Sequence, residues 1–119
     1  MVKKKIEVNF RHFGLVVNNI NKSANFYKTY FEFQIIKSTK ENQKFINTLL
    51  NIKNSNLQTV KMSDTSGQIR LELLKFKNLQ SKNNIKRKKL IIENGFTHFA
   101  LTVNNIENIY KKMKKNKIT

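Results

Sequence analysis

A chain of 119 residues has room for one domain with a modest core. It contains no cysteine, which excludes disulfides and thiolate metal sites and makes a reducing cytoplasm the expected compartment. Its formal net charge of +17 invites a polyanion partner, but the basic residues are scattered, aromatics are not interleaved with them, and abundant Lys, Asn and Ile are what AT-rich coding produces.

Nucleic acid is therefore the less favoured partner, although the charge should draw anionic small molecules toward a cleft. No apolar run reaches the roughly 20 residues that span a bilayer, so no membrane partner is expected. The basic start over residues 1–8 is not followed by an apolar signal core, so no secretory signal is expected.

In chain order, the first patterned run is Phe10-Arg11-His12-Phe13-Gly14-Leu15-Val16-Val17. Alternation with period two puts Phe13, Leu15 and Val17, with Arg11, on one face of a strand, and Phe10, His12, Gly14 and Val16 on the other. Asn18-Asn19 breaks the run. A helix is predicted over residues 22–32, capped by Asn21 or Ser23, with Ala24, Tyr27 and Phe31 on the stripe that faces Phe13, Leu15 and Val17.

Residues 34–39 read as a second strand, 45–52 as a short amphipathic helix, and 57–63 and 68–76 as two more strands. Asp64-Thr65-Ser66-Gly67 between the last two is a hairpin loop, with glycine where a positive φ is expected. On the last strand Ile69, Leu71 and Leu73 mark the buried face, so Arg70, Glu72 and Leu74 lie on the opposite face. Residues 77–95 form a basic connection in which Lys86-Arg87-Lys88-Lys89 reads first as a solvated linker. A strand at His98 and a helix over residues 105–116, with Ile106, Ile109, Tyr110 and Met113 as its apolar stripe, complete the chain.

The last pair of elements repeats the first. His12-Phe13-Gly14-Leu15-Val16-Val17-Asn18-Asn19-Ile20 matches His98-Phe99-Ala100-Leu101-Thr102-Val103-Asn104-Asn105-Ile106 at seven of nine positions, offset by 86 residues. Such a match points to a duplicated module. The chain's only two histidines fall at equivalent positions of the repeat, each beside small or β-branched neighbours that leave space for a ligand.

Taken alone, a strand histidine is ordinarily a structural residue; the symmetric placement of both argues otherwise. On the open face of its strand, Glu72 must be paired, protonated or bound to a metal, because a lone charge is costly to desolvate. Two imidazoles and one carboxylate suit a borderline divalent ion such as Zn, Ni, Co, Mn or Fe. His12, Glu72 and His98 are the candidate ligands.

With these residues the chain resembles the vicinal-oxygen-chelate superfamily (glyoxalase, bleomycin resistance and dioxygenase). It is most similar to glyoxalase I-like and methylmalonyl-CoA-epimerase-like members. The resemblance rests on the segments around His12, on Arg70-Leu71-Glu72-Leu73-Leu74, and on Gly95-Phe96-Thr97-His98-Phe99-Ala100-Leu101-Thr102-Val103. It implies an α+β fold in which paired β-α-β-β-β modules form a curved, cup-shaped sheet around one divalent metal.

The expected organisation is a single domain over residues 1–119, with a first module at about 6–76, a linker at 77–95 and the start of a second, incomplete module at 96–119. His12, Glu72 and His98 match three of the four ligands of the glyoxalase-like branch; the fourth is expected beyond Thr119. A half-built sheet leaves unpaired edges, which favours a homodimer.

The implied function is that of a metal-dependent lyase or isomerase, of the lactoylglutathione lyase type, acting on a small substrate with vicinal oxygens through an enediolate or enolate. Glu72 is the candidate catalytic proton shuttle, and Arg70 the candidate binding residue for an anionic substrate. Arg70 reads equally well as a salt-bridge partner. The alternative is a non-catalytic, bleomycin-resistance-like module that sequesters a small molecule.

Overall fold

A computed structural model describes residue 2, residues 5–77, residue 90 and residues 92–118 of the chain. The basic connection, including Lys86-Arg87-Lys88-Lys89, lies mostly outside the described residues. The chain divides into two compact units, Met1–Leu79 and Gln80–Thr119. Among the described residues no helix is long and apolar enough to cross a membrane.

In the first unit, the alternating run at Leu15 forms β1 (Phe13–Val16). The break after it starts α1 (Ile20–Phe31), whose cap is Asn19 rather than Asn21 or Ser23. Asn19 has extended backbone, and its side chain accepts the Lys22 N–H at 3.0 Å. The residue that breaks the strand thus also opens the helix, and the earlier start brings Ile20 into the core. At the other end Glu32 takes a left-handed conformation and donates its N–H to the Tyr27 carbonyl, closing the last turn.

The remaining elements are β2 (Gln34–Lys40), α2 (Gln43–Leu50), β3 (Leu57–Ser63) and β4 (Arg70–Phe76). They complete the expected β-α-β-β-β order, with α2 in the connection between β2 and β3. Gly67 has φ +75°, as the hairpin loop requires. The fourth strand begins two residues later than expected, because Gln68 and Ile69 bond into the turn. The Gln68 N–H goes to the Ser66 hydroxyl at 3.1 Å and the Ile69 N–H to the Asp64 carboxylate at 3.3 Å. Ile69 is therefore 43% exposed and does not share the buried face with Leu71 and Leu73.

The four strands form an open sheet in the order β1-β4-β3-β2. β1 runs parallel to β4, while β3 is antiparallel to both β4 and β2. One face carries Val60, Met62, Leu71 and Leu73, on which Ile20, Ala24 and Phe33 pack, with Phe13, Leu15, Val17, Tyr27 and Phe31 around them. Burial of this apolar set, worth about 25 cal/mol per Å² removed from water, holds α1 on the sheet. The aromatic stripe of α1 is core, as its spacing suggested. The opposite face is the one that carries Glu72.

In the second unit, α3 (Ile106–Lys115) forms where its periodicity placed it, capped by Asn105. The strand expected at residues 98–103 does not form: residues 96–103 carry no regular secondary structure. A strand persists only when a neighbour takes its backbone N–H and C=O groups, and among the described residues of this unit there is no other strand.

Candidate metal centre

Strand register decides what stands beside Glu72. Gly14 of β1 and Lys61 of β3 are its direct partners on either side, and Lys37 of β2 lies opposite Lys61. The row Gly14, Glu72, Lys61, Lys37 thus crosses the whole sheet on its open face. Gly14 contributes no side chain, and a Cβ there would meet Leu74 Cδ1 at 3.3 Å, so the carboxylate's neighbour on the β1 side is not a residue of this row. There the His12 ring, from the residue just before β1, approaches it.

The imidazole Nε2 is 3.7 Å from Glu72 Oε2, with the two side chains 34% and 16% exposed. From the opposite side Lys61 Nζ stands 3.6 Å from the same Oε2. Glu72 is the only acidic residue within the four strands.

The pair meets two requirements of a metal centre. A contact of 3.7 Å is too long for a hydrogen bond, yet close to the spacing of two ligands that share one ion. Two ligands about 2.1 Å from a tetrahedral ion stand roughly 3.4 Å apart. His12 Nδ1 is buried and has no hydrogen-bond partner. The nitrogen that faces Glu72 is Nε2, so the unpartnered Nδ1 lies on the other side of the ring, and an ion shared with the carboxylate would not satisfy it. Imidazole nitrogen and carboxylate oxygen are a donor set that suits borderline divalent ions.

The other predicted residues are placed as follows. Arg70 lies on β4, two positions before Glu72 on the same face and opposite Ser63, and is half-buried. His98 belongs to the second unit, where it is exposed and its Nδ1 lies 2.7 Å from the Thr97 hydroxyl. Among the described residues no three His, Cys, Asp or Glu side chains stand together as a ligand cluster; the first unit contributes the His12–Glu72 pair.

Lys61 is the residue that the sequence reading missed. Its signal was available: counting outward from the 64–69 turn puts residue 61 opposite residue 72. A separate hollow of about 570 Å³ lies between the C-terminal end of α1 and the hairpin loop, bordered by Lys28, Glu32, Gln34, Ser63 and Asp64; neither His12 nor Glu72 lines it.

The β-α-β-β-β order and the open four-stranded sheet define the first unit as a small α+β module. The chain belongs to the Glyoxalase/Bleomycin resistance protein/Dioxygenase superfamily, whose family model matches residues 9–119.

Among solved structures, a glyoxalase family protein from Bacillus cereus superposes with a TM-score of 0.81 at 16% identity, covering 98% of this chain and 76% of that one. A fosfomycin resistance protein from Listeria monocytogenes, in complex with Mn(II) and sulfate, gives a TM-score of 0.54 at 14% identity, covering 94% and 74%. A variant of the same Listeria protein, with Mn(II) and a dihydroxypropylphosphonic acid, gives 0.52 at 13% identity, covering 94% and 71%. At these identities the likeness is one of fold. No curated protein matches the chain.

Proposed function

We propose that this chain is a divalent-metal-dependent lyase or isomerase of the glyoxalase type, acting on a small substrate with vicinal oxygens. The observation that carries the reading is the His12–Glu72 pair, with Nε2 and Oε2 set 3.7 Å apart on the open face. His12 and Glu72 would hold the ion, and His98, equivalent to His12 in the repeat, is the proposed third ligand. When bound, the ion supplies Lewis-acid polarisation of the substrate's oxygens.

This chain's own residues do the rest. With the ion held, Glu72 would be the carboxylate that takes a proton from the carbon beside the substrate's oxygens and returns it. Arg70, on the same face, pairs with a negatively charged substrate group. The membership in a superfamily with metal-dependent members, and the Mn(II) bound by the Listeria relative, support the reading.

A second reading, a binding module without catalysis, draws on Lys61, which gives Glu72 a counter-ion with no metal. Metal content separates the two. Purified wild-type protein dialysed against a Zn(II) or Mn(II) buffer is expected to retain about one ion per chain, and His12→Ala and His98→Ala at least about tenfold less. Equal retention in all three proteins would remove the ligand assignment.

A further inference from the structure

We infer that Lys61 competes with the metal for Glu72. Without the ion its ammonium holds the carboxylate; with the ion bound it is released and anchors an oxyanion group of the substrate. The inference rests on His12 and Glu72 forming the metal centre, and names the class of substrate that centre would take.

The geometry is that of two partners for one atom. Glu72 Oε2 faces His12 Nε2 at 3.7 Å and Lys61 Nζ at 3.6 Å. An ion coordinated between His12 and Oε2 would put two positive charges next to the ammonium, which then loses its reason to stay. Like charges at such separations repel strongly when partly removed from water. Lys61 is able to leave: its side chain is 27% exposed and its long flexible stem carries a hydrated head.

The surroundings decide where it goes. Along the same row the next residue is Lys37, and Arg70 lies two positions before Glu72, so its neighbours on this face are cations. The four strands offer no other carboxylate. Glu41, just past β2, already accepts a hydrogen bond from the Thr59 hydroxyl at 3.2 Å. With an ion bound, the face would carry three cationic side chains and a divalent charge against two carboxylates, Glu72 and Glu41. A carboxylate or phosphonate on the substrate neutralises that excess, and the ammonium freed from Glu72 is already at the edge of the site. Metal and oxyanion should therefore bind with positive coupling, and Lys61 should be the residue that couples them.

The test is calorimetric titration of the full chain with Mn(II), alone and with methylphosphonate or glycolate present, in wild type, Lys61→Gln, Lys37→Gln and His12→Ala. Lys61→Gln is expected to bind Mn(II) about tenfold more tightly than wild type, since one competing charge is gone. Methylphosphonate or glycolate should raise the wild-type Mn(II) affinity about fivefold or more, and that of Lys61→Gln less than about twofold. The stronger of the two identifies the oxyanion.

Lys37→Gln, which removes a cation from the same row without touching Glu72, separates a specific effect from a general change in charge; its Mn(II) affinity should stay within about twofold of wild type. Equal, measurable Mn(II) affinity in wild type and Lys61→Gln, or an anion effect that is absent in wild type or survives in Lys61→Gln, overturns the inference, whereas no Mn(II) binding in wild type overturns the metal centre. Unchanged binding in His12→Ala also overturns the metal centre itself, so the two failures are told apart.

Discussion

Glu72 and Asp64 show how differently one carboxylate and another are held. Glu72 is largely buried on the open face and stands between an imidazole and an ammonium, an arrangement made by three strands. Asp64 is half-buried at the start of the hairpin loop and is held by its own loop. The Ser66 hydroxyl, first, keeps its carboxyl below the ordinary value of 3.8; burial opposes this, and the N–H groups of Ile69, Gly67 and Gln68 add to the lowering.

A depressed folded-state value stabilises the fold fully above the ordinary carboxyl value, and the contribution is lost as pH falls through the lower one. Asp64→Asn should therefore flatten the loss of thermal stability on the acid side of about pH 4, as read from melting curves at successive pH values. An unchanged acid limb would show that the loop bonds do not act on stability. The turn was legible in the sequence because its chemistry is local, confined to residues 64–69. Lys61 was not noticed, because its meaning depends on which residue lies across the ladder.

At the scale of elements, the three helices share one device. Asn19, Asn42 and Asn105 each precede the first turn, and their side chains accept the N–H of Lys22, Phe45 and Asn108. Capping of this kind is worth about 1 kcal/mol, so Asn19→Ala should lower the unfolding free energy of the first unit by roughly that amount in urea denaturation, and Ser23→Ala by much less. Equal losses would restore Ser23 as the cap.

The periodicity of the helices and of β2, β3 and β4 was readable because each pattern repeats over several turns or residues. The exact starts of α1 and β4 were not, because they depend on which polar side chain captures the backbone: Asn19 in one case, Asp64 and Ser66 in the other. The repeated strand is the sharper case. The pattern that forms β1 at Phe13–Val16 forms no strand at its second occurrence. Alternation makes a segment suitable for a sheet, and a paired neighbour makes it a strand. β1 has β4 beside it, in register from Phe13 with Leu71 to Val16 with Leu74.

Across the whole molecule, stability is concentrated where α1 crosses β3 and β4. Met62 and Leu73 are completely buried there, within one cluster. Leu73→Ala should cost about 2–5 kcal/mol, measured by chemical denaturation, and should shift His12 and Glu72 as well, since Leu73 follows Glu72 on the same strand. A cost under about 1 kcal/mol would mean that the site can collapse around the missing atoms. The open face has no such cluster; it is a cationic surface with one carboxylate in its strands. The net charge of the chain thus has a local expression at the site, whatever its origin in coding bias.

By itself the sequence determined the β-α-β-β-β order, the opposed faces of β1 and of β4 from Arg70 onward, and the duplicated histidines. These follow from alternation, helical periodicity and turn chemistry, all of which act between near neighbours in the chain. Only the tertiary structure decided that β1 lies parallel beside β4, that His12 and Glu72 therefore meet, and that Lys61 shares the same oxygen. The His12–Glu72 contact and the β1–β4 pairing join residues some 60 positions apart, Lys61 and Glu72 meet across the 64–69 turn, and hydrogen-bonded register between strands sets all of them to within one residue.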